Sequence, residues 1–323
     1  MKLRFLVIVI FSVLHVPLAA QELYPLSEPA STIPKGALGV RIFSETYKEV
    51  RQWRNMSALR LMYGVSPRLS LYFTGIASNH HGRKMPSEYP FHNTPERGAN
   101  YPFRFNGAHI YGKYRFVSLD GPGRHLRLAA YADAAWVSTT HHESEPDIMM
   151  GDNSGVGGGL IITYLLHRTA VSFTGGAIFP AVNKGLSPDP IDVFPDVPVR
   201  TRYGKAFNYS LSAGYLLFPR RYHSYHQTNL NLYLELRGKI FDAARVTLFD
   251  GMPAEYILAT ERYPAALQRG AYMDISPGAQ LIFNSNLRLD CSVTFSSLGT
   301  SYARLYPVFN VALQRYFFPA NKK

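Results

Sequence analysis

The stretch that decides the fold is Asn229-Leu230-Asn231-Leu232-Tyr233-Leu234-Glu235-Leu236-Arg237-Gly238-Lys239. Its even positions from 230 to 236 are all leucine, whereas the odd positions carry Asn, Tyr, Glu, Arg and Lys. In a helix these leucines would be spread around the circumference, but in a strand they share one face. The stretch therefore predicts a β-strand with one apolar and one polar face.

The same alternation recurs along the chain, for example from His125 to Ala134 and from Leu287 to Ser296. Most segments run for about 10 to 16 residues, close to the roughly 9 to 11 that a tilted membrane-spanning strand needs and longer than ordinary globular strands. We therefore predict an all-β, antiparallel, up-and-down transmembrane barrel of about twelve strands. The predicted strands are 36–47, 56–65, 67–79, 102–118, 124–139, 153–166, 169–180, 203–218, 228–242, 271–284, 286–298 and 304–318.

The connections alternate in length. Most of those after even-numbered strands are tight and rich in turn-forming residues, such as Ser66-Pro67 and Asp120-Gly121-Pro122-Gly123, although Pro219–Gln227 is longer. Those after odd-numbered strands are long, at about 78–101, 140–152, 181–202 and 243–270. Short turns on one side and long loops on the other are typical of outer-membrane barrels, whose short side is periplasmic.

The N-terminus has the order of a secretory signal peptide. A basic start at Lys2 and Arg4 precedes an apolar run to about Leu18, and Ala19-Ala20 precede a polar region. We expect cleavage after Ala20, with an uncleaved anchor as the alternative. The formal charge is +12, and removal of Lys2 and Arg4 leaves +10. The predicted organisation is a signal peptide at 1–20, a proline-containing tail at 21–35, a barrel at 36–318 and a C-terminal tail at 319–323.

Composition narrows the class further. Cys291 is the sole cysteine, which excludes an intrachain disulfide, and the sequence holds 22 Tyr and 20 Phe, as an aromatic-girdled barrel would. No stretch after the signal is apolar enough for a spanning helix. The basic segment Pro219–His223 is interpreted as a solvated turn, so we expect no nucleic-acid partner.

The architecture resembles that of mid-sized outer-membrane channels and transporters, and the last strand, ending Gln314-Arg315-Tyr316-Phe317-Phe318, resembles the aromatic-ended final strand of such barrels. The resemblance covers the whole mature chain but includes no specific family signature. It implies a Gram-negative outer membrane with both termini periplasmic. The partners it implies are membrane lipid, a small solute and the barrel-assembly machinery.

In a water-filled barrel the polar faces point inward. The predicted lumen-lining residues are Arg41, Arg60, Lys113, Arg115, Arg127, Asp133, Glu235, Arg237, Lys239, Asp274, Arg288 and Asp290, and the alternation adds Arg68. Because cations outnumber carboxylates in this set, we predict a channel for small solutes in which the positive charge favours anions. The alternative is a closed structural or binding barrel in which these charges pair and the loops are displayed.

Two chemical sites are also conceivable. His80, His81, His141, His142, Glu143 and Asp147 fall on the predicted rim and include ligand types for a divalent transition metal, although solvated histidines are the simpler interpretation. A hydrolytic site would need Ser78 beside a His and an orienting partner, which the sequence does not place. We expect neither a resident cofactor nor enzymatic activity.

Three local features leave alternatives open. Tyr24–Lys35 is rich in proline and could be a periplasmic tail, a lumen plug or a partner contact. Pro277 and Pro307 fall inside predicted strands, where each removes a ladder donor and marks a bulge or a strand end. The 243–270 connection has room for a short hairpin or a helix such as Ala254–Leu267.

Overall fold

The fold is a closed antiparallel barrel of twelve strands, as predicted. In the computed structural model the described residues are 24–49, 52–79, 103–138, 146–148, 153–187, 197–221, 224, 226–248, 267–301 and 305–319. The strands are β1 Leu38–Glu49, β2 Gln52–Gly64, β3 Leu69–Ser78, β4 Arg104–Gly121, β5 Arg124–Val137, β6 Gly155–Leu166, β7 Thr169–Pro180, β8 Asn183–Ser187, β9 Val197–Arg202, β10 Ala206–Phe218, β11 Asn229–Phe241, β12 Arg245–Leu248, β13 Gly270–Phe283, β14 Leu287–Leu298 and β15 Val308–Phe317.

The barrel closes where the first strand pairs with the last. Its order is β1-β15-β14-β13-β11-β10-β7-β6-β5-β4-β3-β2, and β1 runs antiparallel to β15 from Leu38↔Phe317 to Thr46↔Phe309. Closure removes the unpaired edges that an open sheet would expose. No helix within the described part of the chain is long and apolar enough to cross a membrane.

The burial pattern is inverted relative to that of a soluble protein. On β11, Leu232 and Leu234 are 44% and 41% exposed, while Glu235, on the opposite face of the strand, is 0% exposed. The outward belt is therefore apolar, and aromatic pairs such as Trp53–Phe309 and Phe105–Trp136 lie at its long-loop end. An outward apolar band with aromatic rings at its edge is typical of a barrel in a bilayer.

The turns at the short-loop end have the conformations their residues favour. Gly123, His167, Asn284 and Ser285 adopt φ values of 68°, 51°, 48° and 56°, in the left-handed region that tight hairpins of this hand require. Pro307 lies directly before β15, so it marks a strand start. Pro277 stays within β13 opposite Leu234 of β11, and the ladder to β14 has no pair at Pro277.

The long connections contain a small sheet that the sequence analysis did not predict. Strands β8, β9 and β12 pair antiparallel in the order β12-β9-β8, over a cluster that includes Val199, Val246 and Leu267. The pairing Arg245↔Arg202 joins two connections that are far apart in sequence. Of the segment 243–270, the part 249–266 lies outside the described residues, so the helix suggested at Ala254–Leu267 stays a prediction.

Candidate functional site

The segment ahead of β1 lies inside the barrel. Tyr24 is 1% exposed and packs with Ala170 and Tyr233, and Ile33 is 2% exposed among Met62 and Tyr72 of the wall. We call residues 24–35 the N-terminal plug. The sequence left open a periplasmic tail, a lumen plug or a partner contact for this segment, and the structure shows it within the lumen.

One anchor of the plug is a carboxylate on β11. The backbone amides of Leu26 and Ser27 donate hydrogen bonds to the two oxygens of Glu235, over 3.0 and 2.7 Å. Ser27 Oγ also lies 2.7 Å from Ser212 Oγ on β10. Since the glutamate accepts from two successive amides, it fixes the plug backbone as well as a side chain.

In the second anchor the carboxylate belongs to the plug and the donors belong to the wall. Glu28 accepts hydrogen bonds from Arg60 Nη1 at 2.9 Å and Lys113 Nζ at 3.1 Å, and Lys113 also donates to the Pro29 carbonyl at 2.7 Å. Burial by itself raises the pKa of the Glu28 carboxyl. The positive charges of Lys113, Arg60 and Arg41 lower this pKa by more than burial raises it, so the net pKa lies below its ordinary value. Glu28 is therefore held as a carboxylate.

The remaining plug contacts reach toward the short-turn end. The amides of Ala30 and Ile33 donate to Thr163 Oγ1 and Ser70 Oγ, each at 2.8 Å, and Arg127 donates to Ser31 Oγ at 2.9 Å. Gly64 leaves no room for a side chain, because a Cβ there would collide with the Pro34 carbonyl oxygen. The plug thus contacts side chains of β1 through β7, β10 and β11, including Arg41 of β1, which donates to the Pro25 carbonyl, and Ala170 of β7.

A chamber of about 160 Å³ lies between the plug and the long-loop end of the lumen. Since one water needs about 10 to 15 Å³ by this measure, it has room for roughly ten waters. Plug residues 25–28 line one side. On the other side Asp147 accepts from Lys239 Nζ at 2.9 Å, and Ile148 packs with Ile178 and Phe241.

The predicted lumen residues lie on the inner face of the wall. Buried members are Arg41, Lys113, Asp133, Glu235, Lys239, Asp274, Arg288 and Asp290, and partly buried members are Arg60, Arg115, Arg127 and Arg237. Arg68 is instead exposed in the 65–68 turn, where the chain reverses and alternation stops. Several pair as the closed-barrel alternative requires, among them Arg41 with Asp290 at 3.5 Å.

The sequence analysis missed several charged lumen residues. Glu45 and Arg54 are 4% and 2% exposed, and Glu28 and Asp147 enter from outside the barrel strands. Glu45 could have been found, because it shares the face of Arg41 four residues earlier. Glu28 and Asp147 could not, because alternation does not report on irregular segments. Together these carboxylates make the positive excess smaller than the sequence suggested.

Tyrosine rings form a continuous surface along one wall. Tyr111 stacks on Tyr131 with centroids 5.2 Å apart and meets Tyr72 edge-on at 5.3 Å, while His109 Nε2 lies 3.0 Å from Asp133 Oδ2 above them. Tyr111 and Tyr131 line the chamber, whereas Tyr72 lies beside the plug. The chamber lining therefore combines tyrosine rings with charged side chains.

The two candidate chemical sites are only partly visible. His80, His81, His141, His142 and Glu143 lie outside the described residues, so the metal site stays a prediction. Asp147 is described, and its carboxylate pairs with Lys239. No group of three potential metal ligands occurs within the described ranges. Ser78 is buried and its Oγ accepts from Asn106 Nδ2 at 2.8 Å.

The small loop sheet has one apolar and one cationic face. Val199, Thr201 and Val246 are buried, whereas Lys184, Arg200, Arg202 and Arg245 are exposed. The register places Lys184 opposite Arg200 and Arg202 opposite Arg245, so all four cations share the outer face. Like charges directly across a sheet cost stability, and the arrangement concentrates positive potential on the loop side.

Solved structures of outer-membrane proteins resemble this chain at low sequence identity. A crystal structure of an outer membrane channel from Pseudomonas putida F1 matches with a TM-score of 0.56 and 14% identity, covering 92% of this chain and all of that one. The NanC porin gives a TM-score of 0.41 at 8% identity, covering 87% of this chain and 99% of that one. The Ralstonia pickettii toluene transporter TbuX gives 0.37 at 11%, covering 88% and 90%.

No family model matches the sequence. No curated protein matches it either. At 14% identity, the Pseudomonas putida channel shows a shared fold and nothing more. By architecture, this chain has the fold of an outer-membrane β-barrel.

Proposed function

We propose that the protein is an outer-membrane channel for small solutes whose resting lumen is occupied by the N-terminal plug. The observation that carries the proposal is the chamber of about 160 Å³ within the barrel, whose lining includes plug residues 25–28, Asp147 and charged side chains of the wall. A barrel that served only as a scaffold would be more stable with that space filled, because packed interiors leave few voids larger than a water.

The plug has the properties expected of a removable element. It is held to the wall by hydrogen bonds and by the ion pairs of Glu28 with Arg60 and Lys113, with no covalent link within the lumen. On its C-terminal side the plug continues through Gly36 and Ala37 into β1. Its position at the short-turn end, which we assign to the periplasm, would let it leave toward that side.

A closed binding barrel is the second candidate function. It is favoured by the pairing of lumen charges, since Arg41, Arg60, Lys113 and Lys239 each contact a carboxylate, and by the displayed cationic face of the loop sheet. In this case the plug and the pairs would form a permanent polar core.

Planar-bilayer recording separates the two. The full chain and the variant with Glu28→Gln and Glu235→Gln are reconstituted after heat-modifiable gel mobility has shown that both are folded. A channel gives discrete conductance steps, with more frequent opening in the variant because both plug anchors are weakened. A folded barrel that conducts in neither form overturns the channel proposal and supports the closed barrel.

A further inference from the structure

The chamber is lined by four cationic side chains, and three of them are paired. Arg41 lies 3.5 Å from Asp290, Arg60 lies 2.9 Å from Glu28, and Lys239 lies 2.9 Å from Asp147. The fourth is Arg237 on β11. Its guanidinium makes no ion pair or hydrogen bond within the described part of the chain, and its Nε is buried without a partner.

The neighbours of Arg237 complete a polar row across three strands. Ser210 on β10 is directly opposite Arg237, and Thr174 on β7 is directly opposite Ser210. All three line the chamber, and Thr174 Oγ1 is buried without a hydrogen-bond partner. The row thus combines an unpaired guanidinium with two hydroxyl groups that are able to donate.

Two carboxylates beside Arg237 are already engaged. Glu235, two residues earlier on the same face of β11, interacts with the Arg237 charge but accepts from the plug amides of Leu26 and Ser27. Asp274 on β13 is opposite Arg237 in register, but its Oδ1 accepts from Tyr306 Oη at 2.6 Å. Burying a charge without a partner is costly, so an unpaired guanidinium in a confined lumen favours any anion that can reach it. The planar fork of arginine fits a carboxylate with two parallel hydrogen bonds.

We propose that Arg237, with the hydroxyls of Ser210 and Thr174, forms a binding subsite for the carboxylate group of a small monoanionic solute. The chamber volume of about 160 Å³ suits an acid of a few carbon atoms. One unpaired cation matches one negative charge, and the carboxylates in the same lining disfavour a second; they belong to Glu28, Glu45, Asp147, Asp274 and Asp290. This inference deepens the proposed channel function and rests on it for access to the chamber.

The test uses the full chain with propionate as the probe and propionamide as its uncharged counterpart. Propionate binding to folded protein is measured by calorimetry, and propionate block of chloride current is measured in bilayers. Because hydrogen bonds to a charged group are among the stronger ones, Arg237→Gln should weaken propionate binding by about tenfold or more. Propionamide should bind weakly to both forms.

Arg245→Gln is the matched control, because it removes one exposed arginine from the loop sheet and leaves the chamber intact. Its propionate affinity should equal that of the unmodified chain. Equal propionate affinity in the Arg237→Gln variant overturns the subsite, whether or not the protein conducts. Arg237-dependent binding without any conductance supports the subsite and counts against the channel, so the two failures are distinguishable.

Discussion

Lys113 Nζ lies 3.1 Å from Glu28 Oε2, so a wall residue whose side chain is 0% exposed obtains its counterion from the N-terminal plug. Lys113 has no carboxylate partner from the wall among the described ion pairs. A buried ammonium that loses its partner is strongly destabilised. The plug therefore stabilises the wall as much as the wall holds the plug.

Acid should weaken plug docking through Glu28. Its pKa in the folded protein lies below the ordinary value of 4.5, because the nearby cations outweigh the effect of burial. The carboxylate contribution is therefore complete above about pH 4.5 and is lost as the pH falls through the lower folded value. Open probability in bilayers should rise over that acidic range.

The Glu28→Gln variant isolates this effect. It should open more often than the unmodified chain at neutral pH, and its open probability should change much less between pH 5 and the acidic limit of folding. If the variant keeps the full acid response, another group is responsible for it.

Glu235→Gln should loosen the plug at its other anchor. The amide can accept only at its oxygen, so one of the amides of Leu26 and Ser27 loses its partner, at a cost of about 1–3 kcal/mol. We expect plug opening to increase about tenfold or more, read from single-channel open probability. Ser276→Ala is the control, since Ser276 Oγ bonds Thr294 on the next strand; an equal increase there would count against the anchor.

The pair of Lys239 and Asp147 should hold the 146–148 segment against the lumen wall. Lys239→Met leaves the Asp147 carboxylate without this cation, and breaking a buried pair costs about 3–5 kcal/mol. Added protease should then cleave the 139–152 connection faster in intact vesicles. The double change Lys239→Met with Asp147→Leu should restore resistance; if it does not, the segment is held by other contacts.

A charged residue on the outer face should destabilise the barrel more near the middle of the membrane than near its surface. Leu313 is 49% exposed in the middle of the β1–β15 ladder, and Leu313→Arg should destabilise the barrel in lipid by about 2–4 kcal/mol. Leu298→Arg, at the strand end, should cost about 0–1 kcal/mol. Urea titration of folding in vesicles measures both. Equal costs would show that this face does not contact the bilayer core.

The barrel was predictable because apolar and polar residues alternate along each strand. Alternation such as that from Asn229 to Lys239 assigns strand and face together, and a slip of one residue would turn every leucine inward. The count of twelve survived the two prolines because Pro307 falls just outside β15 and Pro277 costs only local pairing. Glu45 was accessible to the same reasoning.

The contents of the lumen were not predictable. The plug has no period, and its place depends on backbone amides meeting Glu235, Thr163 and Ser70 from distant strands. Asp147 and the loop sheet belong to the same class, since the pairing Arg202↔Arg245 joins connections that no local pattern links. Alternation identifies the strands of the wall, whereas tertiary contacts decide which segments occupy the lumen.

The seam between β1 and β15 has a consequence for biogenesis. The plug is continuous with β1, and β1 finds its second neighbour only when the last strand has been made. Until that pairing forms, the plug belongs to an open sheet with a free edge, and once it forms the segment is enclosed. Pairing of β1 with β15 is therefore the step that encloses the plug in the lumen. Chains truncated before Val308 should leave the plug accessible to solvent.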